Sequence, residues 1–116
     1  MARGMIIGRL RAGAQKQAII DAFQESDATE LPWLVGAQTR SVFILGDIYV
    51  HLIESEMPLE VVLSDMKDHP LFVDIKRRLD RYVEPLSADL YPGVAEEIYF
   101  WSAAQAAQEQ QPPDQA

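Results

Sequence analysis

The spacing of apolar residues in this chain changes several times, and the order of these changes limits the folds available to it. Arg3–Leu10 alternates and is rich in Ile, which predicts a first strand that ends near Ala12-Gly13. Apolar residues then recur at helical spacing from Ala14 to Phe23, which predicts an amphipathic helix that ends near Ser26-Asp27. The chain therefore begins with a strand followed by a helix.

Two consecutive strands are expected after this helix. Val35–Ile44 and Asp47–Ser55 are rich in Val, Ile, Phe, Tyr and Thr, and Leu45-Gly46 lies between them. This short separation predicts an antiparallel hairpin. The preceding segment SDATELP, from Ser26 to Pro32, is expected to be a loop.

The second half of the chain contains a further helix and a candidate last strand. Helical spacing starts at Leu59, restarts after Asp68-His69-Pro70, and continues until Pro85 prevents further winding. Val94–Trp101 ends in four large apolar residues and would close the sheet as a fourth strand. The order β-α-β-β-α-β is the pattern of a ferredoxin-like fold, so we predict an α+β protein.

Chain length and composition predict one domain with a short tail. The chain has 116 residues and a mass of 13.1 kDa, the size of a single domain, and 48% of its residues are hydrophobic. We assign residues 1–102 to one ferredoxin-like domain. Residues 103–116 are rich in Ala, Gln and Pro and are predicted to be disordered, because their end, QEQQPPDQA, has no large apolar side chain to bury. A short helix on the alanines is the alternative for the first part of this tail.

Charge and cysteine content exclude several classes of function. Eighteen acidic residues against ten Lys and Arg give a net charge of −8, which would repel a phosphate backbone, so no nucleic-acid partner is expected. The absence of cysteine removes disulfides, thiolate metal sites and cysteine nucleophiles, and it is typical of a reducing compartment. No segment approaches the length needed to cross a bilayer. We therefore expect a cytoplasmic protein that does not bind membranes.

The hairpin predicts which side chains share a face of the sheet. A loop centred on Leu45-Gly46 places Ile44 opposite Asp47 and Arg40 opposite His51. The side chains expected on the same face as this pair are Gln38, Val42, Tyr49 and Ile53. The other face is more uniformly apolar and is expected to meet the helices. The Arg40 face would then be covered by a second subunit, with a site between sheet and partner.

The residues of that face suit carbonyl chemistry. The loop before the second strand would place Asp27 over one end of the face, beside Arg40 and His51. Such a site needs a base for an acidic α-proton, a cation for the enolate oxygen and an acid for the departing water. No metal site is predicted, because Asp27, His51 and His69 lack the spacing of a zinc or iron site.

Four sequence blocks, in this order along the chain, are similar to one known family. The blocks are FQESDATELP (Phe23–Pro32), TRSVF (Thr39–Phe43), DIYVHLIE (Asp47–Glu54) and HPLF (His69–Phe72). They resemble the tetracenomycin-type aromatic polyketide cyclases, from about Arg3 to Trp101. The resemblance implies a ferredoxin-like subunit in a homodimer, the dimeric α/β barrel, with no cofactor. It also implies intramolecular aldol condensation and dehydration of a partly cyclised poly-β-ketone made by a type II polyketide synthase.

The resemblance assigns the polar residues of the pocket. The family's polar positions fall on Asp27, Arg40 and His51, and His51 is expected to be the proton donor because an ordinary histidine has a pKa near neutrality. The family pattern has a histidine where this chain has Ser26, so that acid–base role is absent or taken over by His51 or Asp27. The residues expected to bind substrate are Ser26, Trp33, Gln38, Val42, Tyr49 and Ile53.

Other interpretations remain open from the sequence. Arg40 would instead form an ion pair with Asp47 or Glu54, and Asp27 would only cap the first helix. A cofactor-independent anthrone-type monooxygenase of the same dimeric architecture is the alternative enzyme, and a non-catalytic partner that shapes the synthase complex is the third reading. The basic run at Lys76, Arg77, Arg78 and Arg81 is either a solvated helix face or a docking site for an acidic acyl carrier protein.

Overall fold

A computed structural model describes residues 1–110 of the chain. Its four strands form one antiparallel sheet in the order β2-β3-β1-β4. The strands are β1 (Ala2–Leu10), β2 (Ala37–Leu45), β3 (Ile48–Ser55) and β4 (Val83–Glu84). The helices are α1 (Lys16–Asp27), α2 (Leu31–Val35), α3 (Leu59–Asp65), α4 (Pro70–Leu79) and α5 (Ala103–Gln110), with a 3-10 turn at Ala88–Leu90. The α+β class is confirmed, and the strand order is that of a ferredoxin-like sheet.

Part of the segment predicted as a loop is helical. The Thr29 hydroxyl donates to the Ser26 carbonyl at 2.6 Å and accepts from the Leu31 backbone N–H at 3.2 Å, which links the end of α1 to the start of α2. Gly36 ends α2 with a φ of 67°, a left-handed conformation that glycine adopts without strain. Val35, predicted to begin a strand, is therefore the last residue of α2.

The hairpin has a different register from the predicted one. Leu45 pairs with Ile48, so the turn consists of Gly46-Asp47, with Gly46 at a positive φ of 62°. The pairs from Thr39 to Leu45 are consequently shifted by two residues, and Val42 rather than Arg40 lies opposite His51. Because side chains alternate along a strand, a shift of two leaves each residue on its predicted face.

The packing of the two sheet faces is the reverse of what the sequence predicted. Tyr49, His51 and Ile53 are only 3%, 8% and 7% exposed and face the helices of the same chain, whereas Phe43 and Leu45 on the other face are 56% and 82% exposed. We call the first the inner face and the second the outer face. The prediction failed because it placed the helices on the more uniformly apolar face, whereas Arg40 bonds to both His51 and Asp27, which allows the polar face to pack against the helices.

The fourth strand is also not where the sequence predicted it. Val83–Glu84 pairs with Leu10 and Arg9, and an isolated bridge joins Val94 to Ile6 farther along the same edge of β1. These two segments occupy the edge that residues 98–101 were expected to pair with. The side chains of residues 98–101 are exposed instead.

The C-terminal region differs from the predicted disordered tail. Ala103–Gln110 forms α5, which is the alternative that the alanines favoured. Residues 111–116, the rest of the predicted tail, lie outside the described residues. None of the helices within residues 1–110 has the length and apolar character that a membrane span requires.

Candidate active site

A cavity of about 200 Å³ lies between the inner face of the sheet and the helices. Its wall is mostly apolar and comes from all four strands, from α1 to α4, and from the loop that follows β4. Side chains of this apolar wall include Ile6, Phe23, Leu31, Val35, Ile53, Leu59, Val62, Leu63, Phe72, Ile75, Leu79 and Val83. The volume is below the roughly 300–1,000 Å³ of most small-molecule pockets, so a multi-ring ligand would leave little of the cavity empty.

Gly8 makes room for this cavity on the inner face of β1. A Cβ atom at Gly8 would lie 2.8 Å from Val83 Cγ1 and 2.9 Å from the backbone oxygen of Glu84. Gly8 pairs with Tyr49, whose side chain is buried on the inner face of the sheet. The absence of a side chain lets β4 approach here and leaves the Tyr49 ring as part of the cavity wall.

Arg40 forms the centre of the polar end of the cavity. Its Nε donates to Asp27 Oδ2 at 3.0 Å, its Nη2 donates to Asp27 Oδ1 at 2.8 Å, and its Nη1 lies 2.8 Å from His51 Nε2. The Phe23 ring supports both groups, since its centroid is 5.0 Å from Arg40 Cζ and 5.1 Å from the His51 ring. Asp27, Arg40 and His51 are thus in direct contact, as predicted, whereas the alternative partners of Arg40, Asp47 and Glu54, bond to Arg9 and Thr39.

His51 is a neutral imidazole in this environment. Its burial and, to a smaller extent, the charge of Arg40 lower the pKa of His51 from 6.5 to about 3. Because Arg40 donates to Nε2, the proton of the neutral ring is assigned to Nδ1. The prediction that His51 donates a proton from an imidazolium with a near-neutral pKa is therefore wrong. Neutral His51 can donate a hydrogen bond but does not carry a charge at neutral pH.

Tyr49 adds a second neutral donor to this wall. Burial raises the pKa of Tyr49 well above its ordinary value, and the charge of Arg40 offsets only part of the increase. The phenol is consequently protonated at all pH values at which the protein would work. Its hydroxyl can donate a hydrogen bond to a carbonyl oxygen in the cavity.

Asp27 and Ser26 have different positions although they are neighbours at the end of α1. Ser26 is buried and lines the cavity. Asp27 does not belong to the wall; its carboxylate lies behind the guanidinium, where it bonds two of the three nitrogens of Arg40, and its side chain is 39% exposed. Asp27 therefore fixes the plane of the guanidinium and remains accessible from solvent.

Three residues that the sequence predicted to bind substrate are not in the cavity wall. Trp33 on α2 is 87% exposed. Gln38 lies at the irregularity of β2 between Ala37 and Thr39, and it is exposed. Val42 packs against the core cluster without lining the cavity. Tyr49, Ile53 and Ser26 do line it, so the structure brings together only part of the predicted set.

The far end of the cavity was not predicted from the sequence. This end contains Lys76 on α4, Asp80 just after α4, Glu84 on β4, and Tyr91 and Pro92 in the loop after β4. Lys76 was counted with the basic run of this helix, and nothing in the local sequence distinguishes it from its neighbours. Arg78, from the same run, bonds Glu25 at 2.8 Å, whereas Arg77 and Arg81 are exposed.

His69 has a structural role at the start of α4. Its Nδ1 accepts a hydrogen bond from the Leu71 backbone N–H at 3.2 Å and caps the start of α4. Within residues 1–110 no three His, Asp or Glu side chains are grouped in a way that would hold a metal ion.

Comparisons with known proteins identify relatives with this fold. A family profile described as polyketide synthesis cyclase matches residues 2–102. Tetracenomycin F2 cyclase of Streptomyces glaucescens is 36% identical over 93 residues, which cover 78% of this chain and 85% of that protein. Polyketide synthase CurG of Streptomyces cyaneus is 40% identical over 85 residues, covering 73% of this chain and 78% of that protein. The solved structure of tetracenomycin F2 cyclase from S. glaucescens, described as a type-II polyketide cyclase, matches with a TM-score of 0.78 and 32% identity, over 89% of this chain and 99% of that chain.

Proposed function

The chain belongs to the polyketide synthesis cyclase family and is an aromatic polyketide cyclase, and we propose that it catalyses aldol condensation and dehydration within a partly cyclised poly-β-ketone. The observation that supports this reaction is the hydrogen-bonded pair of Arg40 and His51 at the wall of an apolar cavity. The pair offers donors to a carbonyl oxygen in mostly apolar surroundings.

Arg40 stabilises the enolate in this proposal. A guanidinium has five N–H donors, and three of those of Arg40 are engaged by Asp27 and His51. The two that remain can bind the oxygen of the carbonyl whose neighbouring methylene loses a proton. Hydrogen bonds to a developing oxyanion are strongest where they are prearranged and shielded from water. Asp27 supplies the prearrangement, because it holds the guanidinium in one plane.

Asp27 is assigned as the base that accepts the methylene proton of the substrate. Neutral His51, with its lowered pKa, is a weak base, whereas Asp27 carries a carboxylate in contact with Arg40. One water at the exposed rim carries the methylene proton to the Asp27 carboxylate. The new carbon–carbon bond forms at a second carbonyl, which accepts a hydrogen bond from Tyr49, and the proton returns from Asp27 to that oxygen. A second proton transfer, from the adjacent carbon to the hydroxyl, releases water and leaves the double bond.

The apolar wall contributes to the reaction by positioning the substrate. A poly-β-ketone is flexible and reacts with itself, so the rate and the ring that forms depend on which methylene lies beside which carbonyl. The cavity wall restricts the substrate to a flat conformation between the sheet and α4. We therefore expect substitutions in the wall to change the ring pattern, and substitutions of Asp27, Arg40 or His51 to change the rate.

A cyclisation assay under anaerobic conditions tests the proposed reaction. The purified protein is mixed with a partly cyclised aromatic poly-β-ketone, and the molecular mass of the product is measured by mass spectrometry. We expect the substrate to lose one water in the absence of oxygen. Oxygen uptake and a product heavier by oxygen would support the monooxygenase alternative instead. A substrate that stays unchanged until the synthase is added would indicate a non-catalytic partner.

We propose that a second copy of the chain covers the outer face of the sheet. The exposed side chains of Phe43 and Leu45 make this face apolar, and monomeric proteins rarely expose such a patch. A homodimer of this kind leaves the cavity inside each subunit, in contrast to the predicted site between the sheet and the partner. The predicted cytoplasmic location and the acyl carrier contact stay predictions; exposed Arg77 and Arg81 are the residues to reverse in a test of the latter.

A further inference from the structure

The cavity has two polar ends, and the proposed chemistry uses only one of them. Arg40 lies on β2, at one edge of the sheet, whereas the second end lies beside β4, at the other edge. Three strand spacings of about 4.8 Å separate these edges, which amounts to roughly 14 Å. A planar multi-ring substrate that contacts Arg40 would therefore present its opposite end to the residues beside β4.

Lys76 is the cation of this second end. Together with Arg40, it is the only cationic residue that lines the cavity in the part of the chain the structure describes. Its Nζ donates to Asp80 Oδ2 at 3.1 Å and lies 5.4 Å from the centroid of the Tyr91 ring. Contact with the Tyr91 side chain raises the pKa of Lys76, and Asp80 adds to the increase. An ammonium has three N–H donors, so donors remain after the bond to Asp80.

The acidic groups near Lys76 have cationic partners. Glu84 accepts from Arg11 Nη1 at 3.0 Å, and the backbone oxygen of Asp80 accepts from Arg11 Nε at 2.8 Å. The carboxylates of Asp80 and Glu84 are thus balanced by Lys76 and Arg11, and the far end has no net charge. A carboxylate of the substrate would compete with Asp80 for Lys76 without meeting an unbalanced anion.

We propose that Lys76, with Tyr91 beside it, binds a carboxylate at the end of the substrate farthest from Arg40. This inference rests on the proposed function, since it assigns a role in the same cavity. Binding at both ends fixes the direction in which the substrate enters and the distance of each carbonyl from Arg40. Lys76 is in this sense a positioning residue that determines which ring is formed.

Binding of two flat probes tests this role by isothermal titration calorimetry. The probes are anthraquinone-2-carboxylate and 2-(hydroxymethyl)anthraquinone, which differ in charge at one end. We expect the wild-type protein to prefer the acid by about five- to tenfold, as a partly exposed charged hydrogen bond allows. Lys76→Gln should remove the preference. Asp80→Asn should increase it, because the competing carboxylate is gone, and an increase in affinity is not a result of misfolding.

Lys67→Gln is the matched control, because it is the same substitution at an exposed lysine outside the cavity. It should leave the preference as in the wild type. The inference is overturned if Lys76→Gln keeps the preference, if Lys67→Gln loses it equally, or if the wild type binds both probes with the same affinity or binds neither. The anaerobic cyclisation assay reports separately on the proposed function: water loss by the wild type alongside any of these results refutes the role of Lys76 alone.

Discussion

Arg40 donates to the His51 ring across a diagonal of the β2–β3 hairpin, because the residue directly opposite His51 is Val42. The two nitrogens are 2.8 Å apart. A diagonal neighbour is too far for short side chains but within reach of an arginine. The pair therefore joins two strands inside the protein and places a charged donor against a ring that remains neutral.

Replacing Arg40 should reduce cyclisation. Arg40→Gln removes the charge and most donors, so we expect kcat/KM for the cyclised product to fall by about 10- to 100-fold, with more shunt products. Arg40→Lys should recover only part of the loss, since an ammonium cannot bond Asp27 in the same two-point geometry. Product analysis by liquid chromatography and mass spectrometry measures both.

Arg9→Gln provides the control for Arg40. Arg9 forms a comparable pair with Asp47 at 2.7 Å, and it does not line the cavity. Equal yields and the same ring pattern in Arg40→Gln and Arg9→Gln would show that the guanidinium is not part of the site.

The neutral state of His51 predicts a pH dependence of stability. Between about pH 6.5 and pH 3 the unfolded chain binds a proton at His51 that the folded protein excludes. The free energy of unfolding should therefore decrease as the pH falls through this window, with a slope of up to about 1.4 kcal/mol per pH unit from this residue. Well above pH 6.5 the ring is neutral in both states and contributes no slope.

Urea unfolding of the wild type and His51→Gln at several pH values measures this contribution. The variant should lack the part of the slope that His51 supplies. An NMR titration gives an independent result: the His51 ring signals should stay constant from pH 8 to pH 5, with His69→Gln used to assign them. A midpoint near pH 6.5 for His51 would contradict the neutral ring.

Asp27 can be tested as a proton acceptor by two substitutions. Asp27→Asn keeps an oxygen that can accept from Arg40 but removes the base, whereas Asp27→Ala removes both. If Asp27 accepts the proton, kcat should fall by about 100-fold in both variants, with KM changed less in Asp27→Asn. Nearly normal kcat in Asp27→Asn and a large loss in Asp27→Ala would instead mean that Asp27 only orients Arg40.

The homodimer predicts a change of molar mass when charges are placed on the outer face. The double substitution of Phe43 and Leu45 by Lys should convert two-chain particles to single chains, as measured by size-exclusion chromatography with light scattering. Trp33→Lys is the control, because Trp33 is equally exposed but lies on α2. A wild-type protein that elutes as a single chain at high concentration would contradict the proposed dimer.

The sequence was sufficient for the element order and for the parity of the hairpin. Side chains alternate along β2 and β3, so an even number of residues in the turn was enough to place Arg40 and His51 on one face, whatever the exact length of the turn. Whether that face packs against the helices depends on whether its buried polar groups find hydrogen-bond partners. The compensating contacts are long-range ones, from Asp27 and Phe23 on α1, and single-strand patterns do not contain them.

The same limit explains the site residues that were missed or wrongly included. Trp33 was expected to bind substrate because it is aromatic, but a five-residue helix that ends at Gly36 leaves it exposed. Lys76 and Tyr91 meet only because the chain returns along β1 after β4. The pKa of His51 depends on its burial within its own chain, whereas the sequence predicted that a second subunit would cover this face.

The two-residue turn at Gly46-Asp47 has a consequence for changes in chain length. Inserting or deleting a pair of residues there would leave the guanidinium and the imidazole directed toward the helices, and their long side chains could still meet. Inserting a single residue would shift the strand register by one position, so that Arg40 would point to the opposite face of the sheet from His51. Natural relatives that differ in length at this turn should therefore differ by even numbers of residues.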